Sequence, residues 1–220
     1  ILKNKSQIQK KVFSEKDKGS LIKIIPSFSD LEEASIVANY ILDLKKQYET
    51  DEIAVLYRTN AQSRVFEEAF RKNKIPYKIY GGVSFYQRKE IKDILAYLRL
   101  SINYNDEEAL KRIINYPARG IGNVTLSKVK QTAIDNNITL WEVLSNIEQY
   151  DIQLNQGAIN RLSSFTDAIA YFHQLSINKN AYEVSDEVIK KSGIWLDVSA
   201  EKTVENLSKQ ENIQELLSAM

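Results

Sequence analysis

The apolar residues of this chain recur at two spacings, and the spacing changes near residue 80. Leu21-Ile22-Lys23-Ile24-Ile25 is a β-branched run closed by Pro26, which reads as a strand. Ser29 and Asp30 then offer helix N-caps, with Glu32 and Glu33 three positions further on, as a capping box requires. Val37, Tyr40, Ile41 and Leu44 follow at the spacing of one helix face. Ile53-Ala54-Val55-Leu56-Tyr57 is apolar throughout, the pattern of a central strand in a parallel sheet. A helix carrying Val65, Phe66, Ala69 and Phe70 comes next, and Tyr77-Lys78-Ile79-Tyr80 reads as a third strand. The order is βαβαβ, so residues 1–80 are expected to form an α/β unit, a parallel sheet with helical crossovers.

Gly81-Gly82 ends that pattern. Paired glycines restrict φ and ψ very little, so the pair predicts a turn or hinge and a domain boundary. Beyond it, residues 81–220 read as helical throughout, with helices over roughly 88–103, 107–115, 124–136, 140–149, 158–176, 183–192 and 201–218. Thr139-x-x-Glu142 is a capping box, and Gly193 is placed as a helix C′ residue. Ile91, Leu95, Leu98 and Ile102 recur at helical spacing and read as core. No internal repeat or low-complexity segment interrupts the pattern.

Composition narrows the chemistry. The 220 residues are 43% hydrophobic and 27% charged, which is ordinary for a soluble domain. No run approaches the length of a membrane span and no signal peptide opens the chain, so no membrane partner is expected. Cysteine is absent, which excludes disulfides and thiolate metal sites and fits a cytoplasmic location. The single histidine, His173, cannot build a zinc site and sits in an aromatic helical stretch, where a packed or surface role is expected. Neither Ile1 nor the helical pattern running into Met220 reads as a natural terminus, so an internal piece of a longer protein is expected. Net charge is +1 but uneven: residues 1–80 and 81–130 each carry +4, and residues 131–220 carry −7. A phosphate-binding surface is therefore expected within the first 130 residues.

No catalytic constellation is present. No G-x-x-x-x-G-K-[ST] loop occurs among the seven glycines, and no nucleophile–base pair or acidic metal cluster can be assigned. Two segments do carry binding chemistry. Tyr57-Arg58-Thr59-Asn60-Ala61-Gln62-Ser63-Arg64 lies between a predicted strand and the following helix. Two guanidiniums, an amide and hydroxyls near a helix N-terminus suit phosphate oxygens. A capped helix with solvated arginines is the alternative. Pro117-Ala118-Arg119-Gly120-Ile121-Gly122-Asn123-Val124-Thr125 joins two predicted helices, as in a helix-hairpin-helix element. Its glycines permit a tight turn and close approach to a phosphate, which backbone N–H groups and the next helix N-terminus would bind. Arg119, Lys128 and Lys130 add charge there, and a plain glycine turn is the alternative. The aromatics of Val83-Ser84-Phe85-Tyr86 could stack on bases, but packing at the hinge is favoured.

AVLYRTNAQSR, IPYKIYGGVSFYQRKEIKDILAYLRL and RIINYPARGIGNVTL, in this order, closely resemble the superfamily 1 UvrD/Rep/PcrA-type ATP-dependent DNA helicases. The resemblance implies a fold and roles that spacing alone does not give. Residues 1–80 would be the first part of a RecA-like motor domain, 2A, and residues 81–220 its helical accessory domain, 2B. Arg58 and Asn60, with Thr59 and Arg64 beside them, would touch single-stranded DNA. Gly120, Ile121 and Gly122, with Arg119 and Thr125 adjacent, would touch duplex DNA. Gly81 and Gly82 would sit where the accessory domain swivels. The parent protein would be a 3′-to-5′ helicase using ATP and Mg2+, whereas this piece would hold no cofactor and hydrolyse nothing. Repair proteins are possible partners through the accessory domain. A helicase–nuclease subunit and a non-motor DNA-binding or protein-interaction module are the alternatives.

Overall fold

The computed structural model describes residue 13, residue 15 and residues 18–220. Among these, the regular structure is helical and no strand occurs, which corrects the expectation of a RecA-like parallel sheet over residues 1–80. The segments at 21–25, 53–57 and 77–80 are present as irregular single stretches that no ladder joins. A strand exists only through hydrogen bonds to a neighbour, so β-branched composition without a paired segment yields an extended chain and no sheet. Exposure records the missing partner. Leu21, Ile22 and Ile24 are 86%, 94% and 93% exposed, and Leu56 is 93% exposed. Ile53 and Val55 alternate inward between exposed neighbours, the burial pattern of a strand without its ladder.

The two helices of this region form where expected. Helix α1 (Asp30–Leu44) begins at Ser29, whose hydroxyl accepts the Glu32 N–H at 3.1 Å. Helix α2 (Ser63–Lys72) packs on it. Ala34, Ala38 and Ile41 from α1 meet Val65, Phe66 and Phe70 from α2, with Ile75, in a small core of their own.

After Gly81, which adopts φ +78 in open space, the chain enters a larger helical unit with a separate core. The left-handed φ, not crowding, is what favours glycine there. Helix α3 (Lys89–Ile102) lies at its centre and packs against α4 (Glu107–Ile113), α7 (Gln156–Asn178), α8 (Ala181–Lys191) and α10 (Val204–Ser218). Helix α5 (Asn123–Asn136) and the short α6 (Leu140–Ser145) close one side, and α9 (Ile194–Ser199) links α8 to α10. Phe85, Ile91, Ile94, Tyr97 and Leu100 meet Leu162, Phe165, Ile169 and Phe172 in the core. Burying such side chains is the main stabilising term, about 1.5–3 kcal/mol each before entropy is charged against it. Thr139 and Glu142 form the expected capping box, and Gly193 follows α8 at φ +90. Helix α9 was not anticipated, because one buried turn carries too little periodicity to register.

Candidate nucleic-acid interface

The first candidate segment is a rigid turn. Tyr57 stacks on Phe66 of α2, with ring centroids 6.3 Å apart and planes at 20°. The Gln62 side-chain oxygen accepts the N–H groups of Arg58 and Thr59, both at 2.9 Å, which closes a 3-10 turn over Asn60–Gln62 leading into α2. The side chains of Arg58, Thr59 and Asn60 are left exposed on one turn. Arg64 is turned inward instead. It is 5% exposed and ion-pairs with Glu68 at 3.0 Å and Glu215 of α10 at 2.7 Å.

A buried polar network ties this turn to the helical unit. Arg88, just ahead of α3, donates to the Asn60 carbonyl and Ser63 Oγ, each at 2.8 Å, and to Asn212 Oδ1 of α10 at 2.6 Å. Asn212 in turn donates to Glu90 Oε1 at 2.7 Å. Burial pulls the Arg88 pKa below its ordinary value, against the pull of Glu67 and Glu90. Glu67 of α2 accepts the Phe85 N–H at 2.9 Å and the Ser84 hydroxyl. Phe85 is fully buried and Tyr86 donates to Glu68 at 2.8 Å, so both aromatics pack the junction. The turn is thereby held by side chains up to 151 positions away in sequence.

The second candidate segment is the hairpin between α4 and α5. Gly120 takes φ +69, and Gly120, Gly122, Asn123 and Val124 are exposed. Ile121 is 2% exposed and anchors the hairpin in the main core, while Thr125 is half-buried on the first turn of α5. Asn115 Oδ1 accepts the N–H groups of Arg119 and Ile121, both at 3.0 Å. Gly122 caps α5 and has no side chain to satisfy the first-turn N–H groups, so they remain open to an anion. Arg119 does not face outward with them. Its guanidinium donates to the carbonyls of Ile113, Pro117 and Ser192 at 3.1, 3.2 and 3.0 Å, and to the Tyr97 hydroxyl at 2.6 Å. The ring faces of Phe165 and Tyr97 lie 5.5 and 5.8 Å from it. Lys128 donates to the Gln153 carbonyl, and Lys130 stays exposed.

These two outward-facing donor sets stand on different cores, joined at Gly81-Gly82. Residues 1–220 match the UvrD-like helicase C-terminal domain. The chain belongs to this family. It is 38% identical to DNA helicase II of Escherichia coli over 224 residues, and 38% identical to DNA helicase II of Haemophilus influenzae over 220. It is 37% identical to ATP-dependent DNA helicase PcrA of Staphylococcus aureus over 222 residues. Those matches cover 100%, 100% and 99% of this chain but 30% of each relative, so the UvrD-like chain spans about a third of their length.

This UvrD-like chain has seven glycines. Its glycines make no phosphate loop with a following lysine, and no group of three or more His, Asp or Glu gathers among the described residues. No helix among them is long and apolar enough to cross a membrane. His173 is a packed histidine, its Nδ1 2.7 Å from the Ser101 carbonyl and its ring beside Tyr104. Sequence reasoning missed Arg88, Asn115 and Arg161, which lies on α7 beside Gly120. The one available signal for Arg161 was its position as the sole cation between Lys130 and Lys179.

Proposed function

We propose that this chain is the DNA-gripping part of an ATP-driven 3′-to-5′ DNA helicase of the UvrD/Rep/PcrA type. Residues 1–80 serve as the beginning of the motor domain 2A and residues 81–220 as the accessory domain 2B. The observation that carries the reading is the pair of outward-facing phosphate-donor sets on two cores either side of Gly81-Gly82, in a chain of this family. Arg58, Thr59 and Asn60 hold the backbone of a single strand, with Arg64 positioning the turn through its ion pair to Glu215. Gly120, Gly122 and the first-turn N–H groups at Asn123 to Thr125 hold a duplex phosphate, with Ile121 and Arg119 anchoring the hairpin from inside. None of these contacts reads bases, as unwinding of arbitrary sequence requires. Gly81-Gly82 is the swivel between the two grips; turning about it breaks the Arg64–Glu215 and Arg88–Asn60 contacts, so DNA must favour one orientation to shift it. ATP and Mg2+ are bound by other segments of a whole protein as long as the relatives.

Fluorescence anisotropy with a labelled single strand and a labelled duplex tests the reading. Arg58→Ala weakens single-strand binding about tenfold at low salt and leaves duplex binding alone. ATP hydrolysis by the chain stays at background. Equal loss on both DNAs, or no loss on either, refutes the two-grip assignment.

A further inference from the structure

The hairpin lacks an outward cation in its own sequence, because Arg119 is committed to four acceptors inside the fold. A cation reaches it from α7. A methyl group added to Gly120 would come within 3.6 Å of Arg161 Nε and 3.7 Å of its Cδ. A methyl group added to Gly157, one turn earlier on α7, would come within 3.3 Å of Arg161 Nη1. The Arg161 side chain therefore lies against both glycines, at ordinary contact distance from Gly120 and close enough to Gly157 that a Cβ there would crowd it. The arginine ion pairs among the described residues are those of Arg64, Arg99 and Arg112, and Arg161 is in none of them. Asn160, Arg161 and Ser164 of α7, with the flank of Arg119, line an open depression of about 330 Å3 beside Gly120.

The geometry points to Arg161 as a further phosphate anchor for duplex DNA, paired with the open N–H groups at the start of α5. This deepens the proposed function and rests on its reading of the hairpin. A guanidinium presents two parallel donors that match two phosphate oxygens, and here it needs no carboxylate to be broken before it binds. Asn160 and Ser164 put neutral polar groups on the same face of α7, and Arg119 adds positive potential without moving. An arginine in an acidic half of the chain is thus recruited to the basic half by the fold alone.

The test is a salt titration of duplex and single-strand binding by the whole chain, for wild type, Arg161→Gln and Arg161→Lys, with the thermal midpoint recorded for each. Arg161→Gln is expected to weaken blunt-duplex binding about tenfold at low salt. It should also lower the slope of log affinity against log salt by about one. Single-strand affinity and the thermal midpoint are expected to stay at wild-type values, because Arg161 is exposed and bonds to no described residue. Arg161→Lys keeps the slope and recovers part of the affinity, since charge survives without the fork. Wild-type duplex affinity and slope in Arg161→Gln overturn the assignment. A midpoint that falls in step with the affinity also overturns it, in favour of a structural role. If wild type itself ignores duplex, the hairpin reading fails first and this inference falls with it.

Discussion

Arg119→Ala separates a structural arginine from a DNA-binding one. Truncation removes four hydrogen bonds at once, to the carbonyls of Ile113, Pro117 and Ser192 and to the Tyr97 hydroxyl. These acceptors sit at the junction of α3, α4, α8 and the hairpin, so no nearby donor replaces the guanidinium. A hydrogen bond contributes about 1 kcal/mol net, and a buried acceptor left without a partner costs about 1–3 kcal/mol. Water reaches Arg119 from its outer side, because it is only half-buried, and recovers part of the loss. Losing the ring contacts to Phe165 and Tyr97 adds about 0.5 kcal/mol. The expected cost is about 3–4 kcal/mol, or a midpoint lower by about 10 °C in a chain of this length. Urea and thermal unfolding followed by the helical circular-dichroism signal measure it. Arg119→Lys recovers less than half, because one ammonium cannot reach four acceptors spread around a planar fork. An Arg119→Ala variant with a wild-type midpoint and lost duplex binding would refute the reasoning and place the guanidinium outside.

Two other perturbations act on buried contacts. Arg88→Ala removes the link between the Asn60 carbonyl, Ser63 and Asn212, and is expected to cost about 3 kcal/mol and to speed amide exchange in residues 58–62 relative to α5. Unchanged exchange there would show that the turn does not depend on the helical unit. Alkaline pH acts through Tyr97, whose pKa burial pushes up to about 12 from an ordinary value of 10.0, against the pull of Arg119. The unfolded chain then releases that proton first, so this stability is complete below pH about 10 and is lost as pH rises through about 12. The urea midpoint is expected to fall across that window by the equivalent of at most about 3 kcal/mol. Tyr116, raised by burial and by Asp197, acts in the same direction. Tyr97→Phe starts from a lower midpoint at neutral pH and falls less steeply, and an identical pH slope in that variant would exclude Tyr97 as the source.

The amino-acid order alone determined where most of the helices begin and end. Caps at Ser29 and Thr139 and the C′ position of Gly193 depend on neighbours within one or two turns. Such contacts are written directly into local spacing. Of the face read for α3, by contrast, only Ile91 is fully buried, whereas Leu95 and Leu98 are partly buried and Ile102 is 72% exposed. The same reasoning erred at the sheet, because Leu21–Ile25, Ile53–Tyr57 and Tyr77–Tyr80 carry strand composition but each needs a partner that spacing cannot supply. Charge direction was equally beyond it. Arg64 and Arg119 have the composition of phosphate ligands, yet each meets inward acceptors that come from Glu215 and Ser192, far along the chain. Arg161 has the composition of a stray surface charge and ends beside Gly120. Which way a long cationic side chain points is fixed by what the finished fold leaves unsatisfied within its reach, and only the packed helices decide that.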